Sequence, residues 1–436
     1  MSISTQTLGT LNAAFRVQYA DKMQNLIPEM TPIMSKIPFV QNNQKSGSVF
    51  IQPVILSMDH GFTCHGPSDN VLVLNAPVGH VIQQAQIQAC AYSGRSWLSY
   101  SVLSRATGGA QAFIDATGHI VQSLSKSFAH MLEGIHWYGG VGHEFAGATA
   151  RLNAIQVSMT AAQSAAFNWL GGEGMPIDIY DSTSTTLVLT TEIKAVVIGS
   201  SDGGTTNDGG ITLTLASVTG LSDSTTYVIY RKGFKGVEHK GLKYILNTNN
   251  VFGIDGANHG LWKANRYALS SGALSFVHLS TAIARGIGRG MTGPLMGLVN
   301  PKAFRQLMPD YLSMGQSIND STAAVSGNAR SKRFSGNEEK SLVHGVKSIK
   351  IIVDSIETEI ESTEFVKGGD GFFLDKETLV MVGSTMPTFS IPGLQNSNEY
   401  FTMRPDAAAA EIRIFADVSP FTEALNKSLL LTGIAP

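Results

Sequence analysis

Between Ala106 and Tyr138 the residues Ile114, Thr117, Val121, Leu124, Phe128, Met131 and Ile135 recur at steps of three and four. That spacing draws one apolar stripe along a helix. Gln111, Asp115, Gln122, Ser125, Lys126 and Glu133 supply the polar surface between them. A continuous helix here runs about 50 Å at 1.5 Å per residue, more than a compact domain needs. Gly118 and Gly134 each weaken it by about 1 kcal/mol relative to Ala, so packing has to hold it straight. Phe128 is expected on the buried stripe, with Lys126 and Glu133 on other faces.

The chain has 436 residues, enough for two or three domains with their own cores. Its hydrophobic content of 43% excludes a largely disordered protein. Only 15% of residues are charged, against about 25% in an ordinary soluble domain. A monomer relies on surface charge to stay dispersed, so the shortage suits a chain whose surface is covered by copies of itself. The net charge of -2 gives no general field for nucleic acid or an anionic membrane. Cys64 and Cys90 are the only cysteines and form no disulfide or CxxC framework. The opening residues MSISTQTLGTLNAAF do not read as a signal peptide. No apolar run reaches the length of a membrane span, and assembly in a cytoplasm is expected.

Residues 1–45 read as an arm, with Leu11 to Met30 forming short amphipathic helical turns broken at Pro28 and Pro32. Residues 46–104 read as strands: Ser48 to Leu56 and His80 to Ala89 carry period-two segments. Between them, Asp59 to Gly79 is rich in Gly, Asp, Asn and Pro and reads as the tip of a long loop. Loops of this length usually bind something. After the long helix and the glycines at 139, 140 and 142, a second helical stretch is expected over Thr149 to Leu170. Thr186 to Val197, Ile211 to Val218 and Thr226 to Tyr230 are β-branched runs and predict a small all-β insertion. Beyond it come a helix over Leu274 to Arg289, a buried strand over Gly293 to Val299, and a helix from Lys302 to Leu307. Asn300 and Pro301 supply the last helix with a cap and a first residue. A polar loop is expected over 321–338, then strands over Val346 to Val353 and Gly371 to Leu379. Two closing strands, Glu411 to Ala416 and Lys427 to Ile434, return to the body.

Chemistry-bearing motifs are scarce. There is no GxxxxGK[ST] loop, GxSxG elbow or HExxH helix. Arg285 and Arg289 in ARGIGRGMTG could cradle an anion but read better as a tight helix-to-strand joint. His136, His143 and Glu144 have a spacing that matches no standard metal pattern. His119 and His130 read as packed helix residues. Asp202 and Asp208 lack the alternating acids and closing Glu of a calcium loop. Asp370 and Glu377 read as hairpin surface rather than a paired-carboxylate site. Basic residues cluster only at Arg330, Lys332 and Arg333, which read as a solvated loop, with contact to nucleic acid or to a neighbouring subunit's acidic edge as the alternative. No catalytic, cofactor-binding or metal-ligating residue is assigned, and no cofactor.

The order of these parts resembles the major capsid protein of tailed bacteriophages, the Hong Kong 97-type fold. The run GRSWLSYSVLSRATGGAQAFIDATGHIVQSLSKSFAHMLEGI (94–135) is similar to that family's passage from extended loop into spine helix. GLKYILNTNNVFGIDGANHGLWKANRYA (241–268), VNPKAFRQLM (299–308), GDGFFLDKETL (369–379) and EIRIFADVSPFTEALNKSLLLTGI (411–434) resemble later segments in the family's order. The resemblance implies an α+β fold with an N-terminal arm (1–45), an extended β loop (46–104), a peripheral domain with the spine helix (105–184), a β-rich insertion (185–232), an axial domain (233–375) and a return through the peripheral to the axial domain (376–436). It implies a non-enzymatic subunit that forms pentamers and hexamers of itself around double-stranded DNA, without sequence preference, in a virion. It also implies a portal protein, a decoration protein in some members, and no membrane. The chain shows no long charged helical segment before the arm, so a separate scaffolding protein is expected. A cellular nanocompartment shell is the alternative within the fold. An enzyme or sugar-binding protein with a β insert is the alternative outside it.

Overall fold

A computed structural model describes residues 32–41, 49–67, 74–99, 110–146, 156–183, 185–199, 210–222, 225–310, 348–389, 401–403 and 409–435. The helical turns expected over Leu11 to Met30, the polar loop at 321–338 with Arg330, Lys332 and Arg333, and Asp202 and Asp208 lie outside the described residues.

The long helix runs from Ala110 to Tyr138, about 44 Å, with side chains described from Ile120 onward. It lies on a five-stranded sheet built around the strand Ala409–Thr422. One edge of that strand pairs antiparallel with Cys90–Ser99. Its other edge pairs with Leu379–Thr388 and, further along, with Phe401–Met403. Phe39–Gln41 adds in parallel outside Leu379–Thr388. Phe128 is 4% exposed, as its place on the stripe predicts. A Cβ placed on Gly94, in the strand beneath, would stand 3.1 Å from its ring, which shows how closely helix and sheet meet.

Val49–Ile55 and Ile82–Gln88 form the expected hairpin, paired from Val49 with Gln88 to Ile55 with Ile82. It is a two-stranded ribbon with no further strand on either edge among the described residues. Such a ribbon is marginal alone, and its root is held by packing. Phe50, Ala85 and Ile87 are buried, the Phe50 ring meets Phe421 at 5.3 Å, and Gln86 N donates to Phe252 O at 2.8 Å.

The expected helix over Thr149 to Leu170 is not formed within its described part. Gln156–Met159 is a strand, followed by a single 3-10 turn at Ala166–Trp169. Val157 and Met159 point into a core while Gln156 and Ser158 are half-buried, a two-residue period that the Ala-rich surroundings hide. Tertiary packing overrides helix propensity here. The strand belongs to a six-stranded antiparallel unit ordered His143–Ala146, Thr226–Arg231, Pro176–Asp181, Leu187–Ile198, Ile211–Leu215, Gln156–Met159. The first and last strands of that order touch, so the sheet curls around its own core of Ile177, Ile179, Ile193, Leu213 and Ile229. The β unit thus starts at His143, ahead of the expected 185.

A second six-stranded sheet has the order Asn265–Gly272, Leu429–Ile434, Asp370–Asp375, Leu295–Val299, Ile356–Ser362, Ser348–Val353. The helix Phe276–Ile287 buries Leu279, Ala282 and Ile283 against it. Its first turn is capped by Ser275, whose Oγ accepts from His278 N at 3.3 Å. The helical residues 301–310 start as the Asn-Pro pair predicts: Asn300 Oδ1 accepts from Lys302 N at 3.1 Å, and its amide donates to Val366 O at 2.8 Å. The expected strand Gly371 to Leu379 divides at a turn. Asp370–Asp375 ends in this sheet, and Leu379–Thr388 begins the other.

Replacing Phe128 with Ala empties a tightly filled site and should cost about 3–5 kcal/mol in chemical denaturation. Lys126→Ala, one residue pair away on a partly exposed face, should cost under about 1 kcal/mol. Equal losses would place the wrong face of the helix inside.

Candidate assembly surfaces and the buried hub

Among the described residues the hairpin tip gathers the most exposed apolar side chains. Phe62 is 83% exposed, Leu74 72%, Met58 71% and Ile55 62%, with Val78, Val81 and Ile82 also exposed. The tip is nevertheless shaped. Leu56 N donates to Val81 O at 2.8 Å and His60 N to Val78 O at 2.9 Å. Asp59 Oδ1 accepts from His80 N at 2.6 Å, and Asn75 bridges Thr63 Oγ1 and Phe62 O, both at 2.9 Å. The His80 bonds hold the Asp59 carboxyl below its ordinary range. The two strands themselves, VFIQPVI and IQQAQIQ, contain no charged residue. Proteins commonly protect free strand edges with charge, so an uncharged ribbon ending in an apolar tip is built to be covered.

Near the ribbon's root the last turns of the long helix are enclosed: from Leu132 to Tyr138 only Gly134 is not buried. Glu133, expected on a polar face, is fully buried. The reason lies one hundred residues upstream. Its Oε1 accepts from Ile33 N at 2.7 Å and its Oε2 from Met34 N at 3.2 Å. These are first-turn amides of the short helix Pro32–Lys36, which have no partner within that helix. Trp137 Nε1 adds a third donor at 3.2 Å. Burial raises the Glu133 carboxyl to about 7, against the pull of those three donors.

One turn on, His136 Nδ1 lies 2.9 Å from His239 Nε2, and His239 Nδ1 lies 2.8 Å from Tyr92 Oη. Burial drives His136 down to about 3 and His239 well below its ordinary value. Both stay neutral; His239 uses both ring nitrogens in this chain, and His136 uses its Nδ1. Tyr138 Oη accepts from Lys367 N at 2.7 Å and donates to Asp370 Oδ2 at 3.3 Å, while Lys243 Nζ donates to Asp370 Oδ1 at 2.5 Å. Lys367, lowered to about 8 by burial, donates to Gly142 O at 3.3 Å over the Tyr138 ring. Gly139 and Gly241 let the helix end and this segment meet backbone to backbone: Gly241 N donates to Gly139 O at 2.8 Å. A Cβ on Gly241 would stand 2.6 Å from Gly139 N.

The residues weighed from sequence fall into place around this hub. His136 and His143 do not converge with Glu144. His143 packs against Tyr138 and Trp169, while Glu144 is exposed. His130 Nε2 lies 2.8 Å from Phe167 O, between the Phe167 and Phe365 rings; the His119 side chain lies outside the described residues. Arg285 stacks over Tyr267 at 5.0 Å, and Arg289 sits in the turn closed by Met291 N on Gly286 O, which is the expected joint. Asp370 is buried in the hub rather than on a hairpin surface. Among the described residues no group of His, Cys, Asp and Glu is arranged to hold a metal ion, and no helix is long and apolar enough to cross a membrane. Two features escaped the sequence reading. Glu133 looks like any polar helix residue, since its partners come from a distant short helix. The run RKGFKGVEHKGLK (231–243) is a second basic cluster, whose five Arg and Lys against one Glu were countable in the sequence.

No family model and no curated protein matches the chain. Solved structures do. The cyanophage A-1(L) capsid asymmetric unit superposes with a TM-score of 0.55 at 10% identity, covering 99% of this chain and 100% of that one. The capsid of Myoviridae phage XM1 reaches 0.44 at 9% identity, over 97% and 98%. A virus-like particle from Pyrococcus furiosus reaches 0.36 at 8% identity, over 94% and 92%. The first of these is close enough to define the fold over nearly the whole chain. It is a capsid fold, α+β and of the Hong Kong 97 type that the sequence resembles.

Because the Glu133 carboxyl is raised from 4.5 to about 7 in the folded chain, its protonated form is the one folding favours. Its contribution is fully present below about pH 4.5 and is lost as pH rises through 7. Glu133→Gln cannot ionise. The stability difference between wild type and Glu133→Gln should therefore change by roughly 2–3 kcal/mol from pH 4.5 to 7.5, with wild type losing ground as pH rises. Denaturation midpoints across that range check it, and parallel curves would refute the assignment.

Proposed function

We propose that the chain is the structural subunit of an icosahedral bacteriophage head, assembling with itself as pentamers and hexamers into a shell around double-stranded DNA. The observation that carries this reading is the ribbon. A chain with a capsid fold projects an uncharged two-stranded arm tipped by Ile55, Met58, Phe62 and Leu74. None of the described residues covers that tip, and a patch of this kind marks a contact surface. A neighbouring copy supplies the cover. In this reading the long helix and five-stranded sheet form the peripheral domain, and the second six-stranded sheet with its helices forms the axial domain. The β unit from His143 to Arg231 is an insertion. The subunit is not an enzyme, because the buried histidines, carboxylates and lysines of the hub are each engaged in holding elements together. Scaffolding, portal and decoration proteins and assembly in a bacterial cytoplasm belong to the same proposal.

Deleting residues 60–76 removes the tip and leaves the root packing of Phe50 and Ile87 intact. The variant should fold, with an unchanged denaturation midpoint, and should fail to form closed particles in negative-stain microscopy. Normal, heat-resistant shells from the deletion would overturn the reading. Particles from the native source that hold protein cargo and no DNA would shift it to a nanocompartment.

A further inference from the structure

The turn between the last strand of the β unit and the helix Leu242–Asn247 carries the densest positive charge on the described surface. Five of the thirteen residues from Arg231 to Lys243 are Arg or Lys, in a chain where all charges together make up 15%. Lys243 is neutralised by Asp370. Lys232, Lys235 and Lys240 are not: among the described residues none of them has a carboxylate within salt-bridge distance, whereas Lys36, Lys194, Lys350 and Lys376 each have one. The nearby acids are occupied elsewhere. Glu238 turns inward to accept from Gly140 N at 2.7 Å. Asp178 accepts from Gly233 N at 2.8 Å and Thr190 Oγ1 at 2.7 Å.

Two of the three ammonium groups are also held in place. Lys235 Nζ sits 3.7 Å above the Tyr180 ring and Lys240 Nζ 4.6 Å above Tyr244. The turn beneath them is hydrogen-bonded to itself: Phe234 N donates to Arg231 O at 3.1 Å, and Val237 N and Glu238 N both donate to Phe234 O, at 3.0 and 2.9 Å. Phe234 anchors it against Tyr92. Val237 stands 71% exposed at its apex. A knob that displays lysines with no ion pair among the described residues, without a free planar guanidinium or an exposed aromatic face, recognises charge and not base identity.

We infer that Lys232, Lys235 and Lys240 form a phosphate-backbone contact for nucleic acid, through which each subunit touches duplex DNA without reading its sequence. The inference rests on the shell reading for the source of the duplex, but the contact itself is a property of the free chain and is measured there. Attraction of this kind comes from phosphate neutralisation and counterion release, with a salt slope of about 0.9 per phosphate contacted.

The test is binding of the full chain to a labelled random-sequence duplex between about 50 and 200 mM salt. Wild type is compared with Lys232→Gln/Lys235→Gln/Lys240→Gln and with Lys194→Gln/Lys350→Gln/Lys376→Gln, which removes the same charge from paired surface lysines. The knob variant should bind at least about tenfold more weakly at the lowest salt, and its slope should fall by roughly 2–3. The control triple should match wild type. Lys232→Gln alone, on an exposed side chain that stacks on nothing, should lower the slope by about 1 without any change in melting. Equal loss in both triples would reduce the effect to net charge and overturn the inference. So would wild type that shows no binding at the lowest salt, or polyglutamate that binds the knob more tightly than duplex does. Particle formation scored on the same proteins keeps the two ideas apart: absence of shells from wild type sinks the shell reading and leaves the duplex result standing.

Discussion

The enclosure of one helix end governs the architecture. From Leu132 to Tyr138 every residue except Gly134 is buried, so four polar side chains, at 133, 136, 137 and 138, must find partners away from water. An unpaired buried donor or acceptor costs roughly 1–3 kcal/mol. Those obligations fix where other elements go. Glu133 demands the amides of Pro32–Lys36, His136 demands the 239–241 segment, and Tyr138 demands the backbone of Lys367 and the carboxylate of Asp370. Three separately folded layers are thereby tied to a single helical turn and a half. The apolar stripe could pack against a sheet in several ways, whereas this set of hydrogen bonds is satisfied in one.

Legibility followed the range of the signal. The stripe from Val121 to Ile135, the alternation of the ribbon strands, and the Asn300-Pro301 helix start are local patterns, and each formed where its pattern stood. The Hong Kong 97-type order of parts was legible only as a whole, because no single segment is specific and 10% identity to the cyanophage chain leaves little else to read. What stayed hidden was set by distant partners. Glu133 has the pattern of a surface residue and the surroundings of a core residue. Gln156–Met159 sits in an Ala-rich run with helix propensity, and its strand exists because Ile211–Leu215 offers it an edge. Buried Asp370 looked like part of a hairpin surface for the same reason: Tyr138 and Lys243, its partners, lie more than one hundred residues away.

The contrast between hub and ribbon separates two kinds of work. The hub ties distant segments of one chain together through Glu133, the His136–His239–Tyr92 chain and Tyr138, and contributes rigidity. The ribbon keeps an exposed apolar tip, and in the shell reading it contributes adhesion. Its root stands on the buried rings of Phe421 and Phe252, so in the shell reading the arm is carried on packed core. A rigid arm loses less conformational entropy when it docks than a loose one. Low charge across the strands makes the same contact tolerant of salt.

The position of Leu429–Ile434 has a consequence for how the polypeptide is made. This late strand lies inside the second six-stranded sheet, between Asn265–Gly272 and Asp370–Asp375, and Ala409–Thr422 is likewise the centre of the five-stranded sheet. Of the three larger sheets among the described residues, only the β unit from His143 to Arg231 draws all its strands from one continuous stretch. During translation that unit can close on its own, while both other sheets wait for residues emitted from the ribosome more than a hundred codons after their first strands. Pairings so far apart in sequence are slow to form. The ribbon's root is among them, since Phe50 packs on Phe421. A nascent chain therefore holds its ribbon without a foundation until residues 409–434 have been made, and in the shell reading competence to join neighbours comes no earlier than those strands.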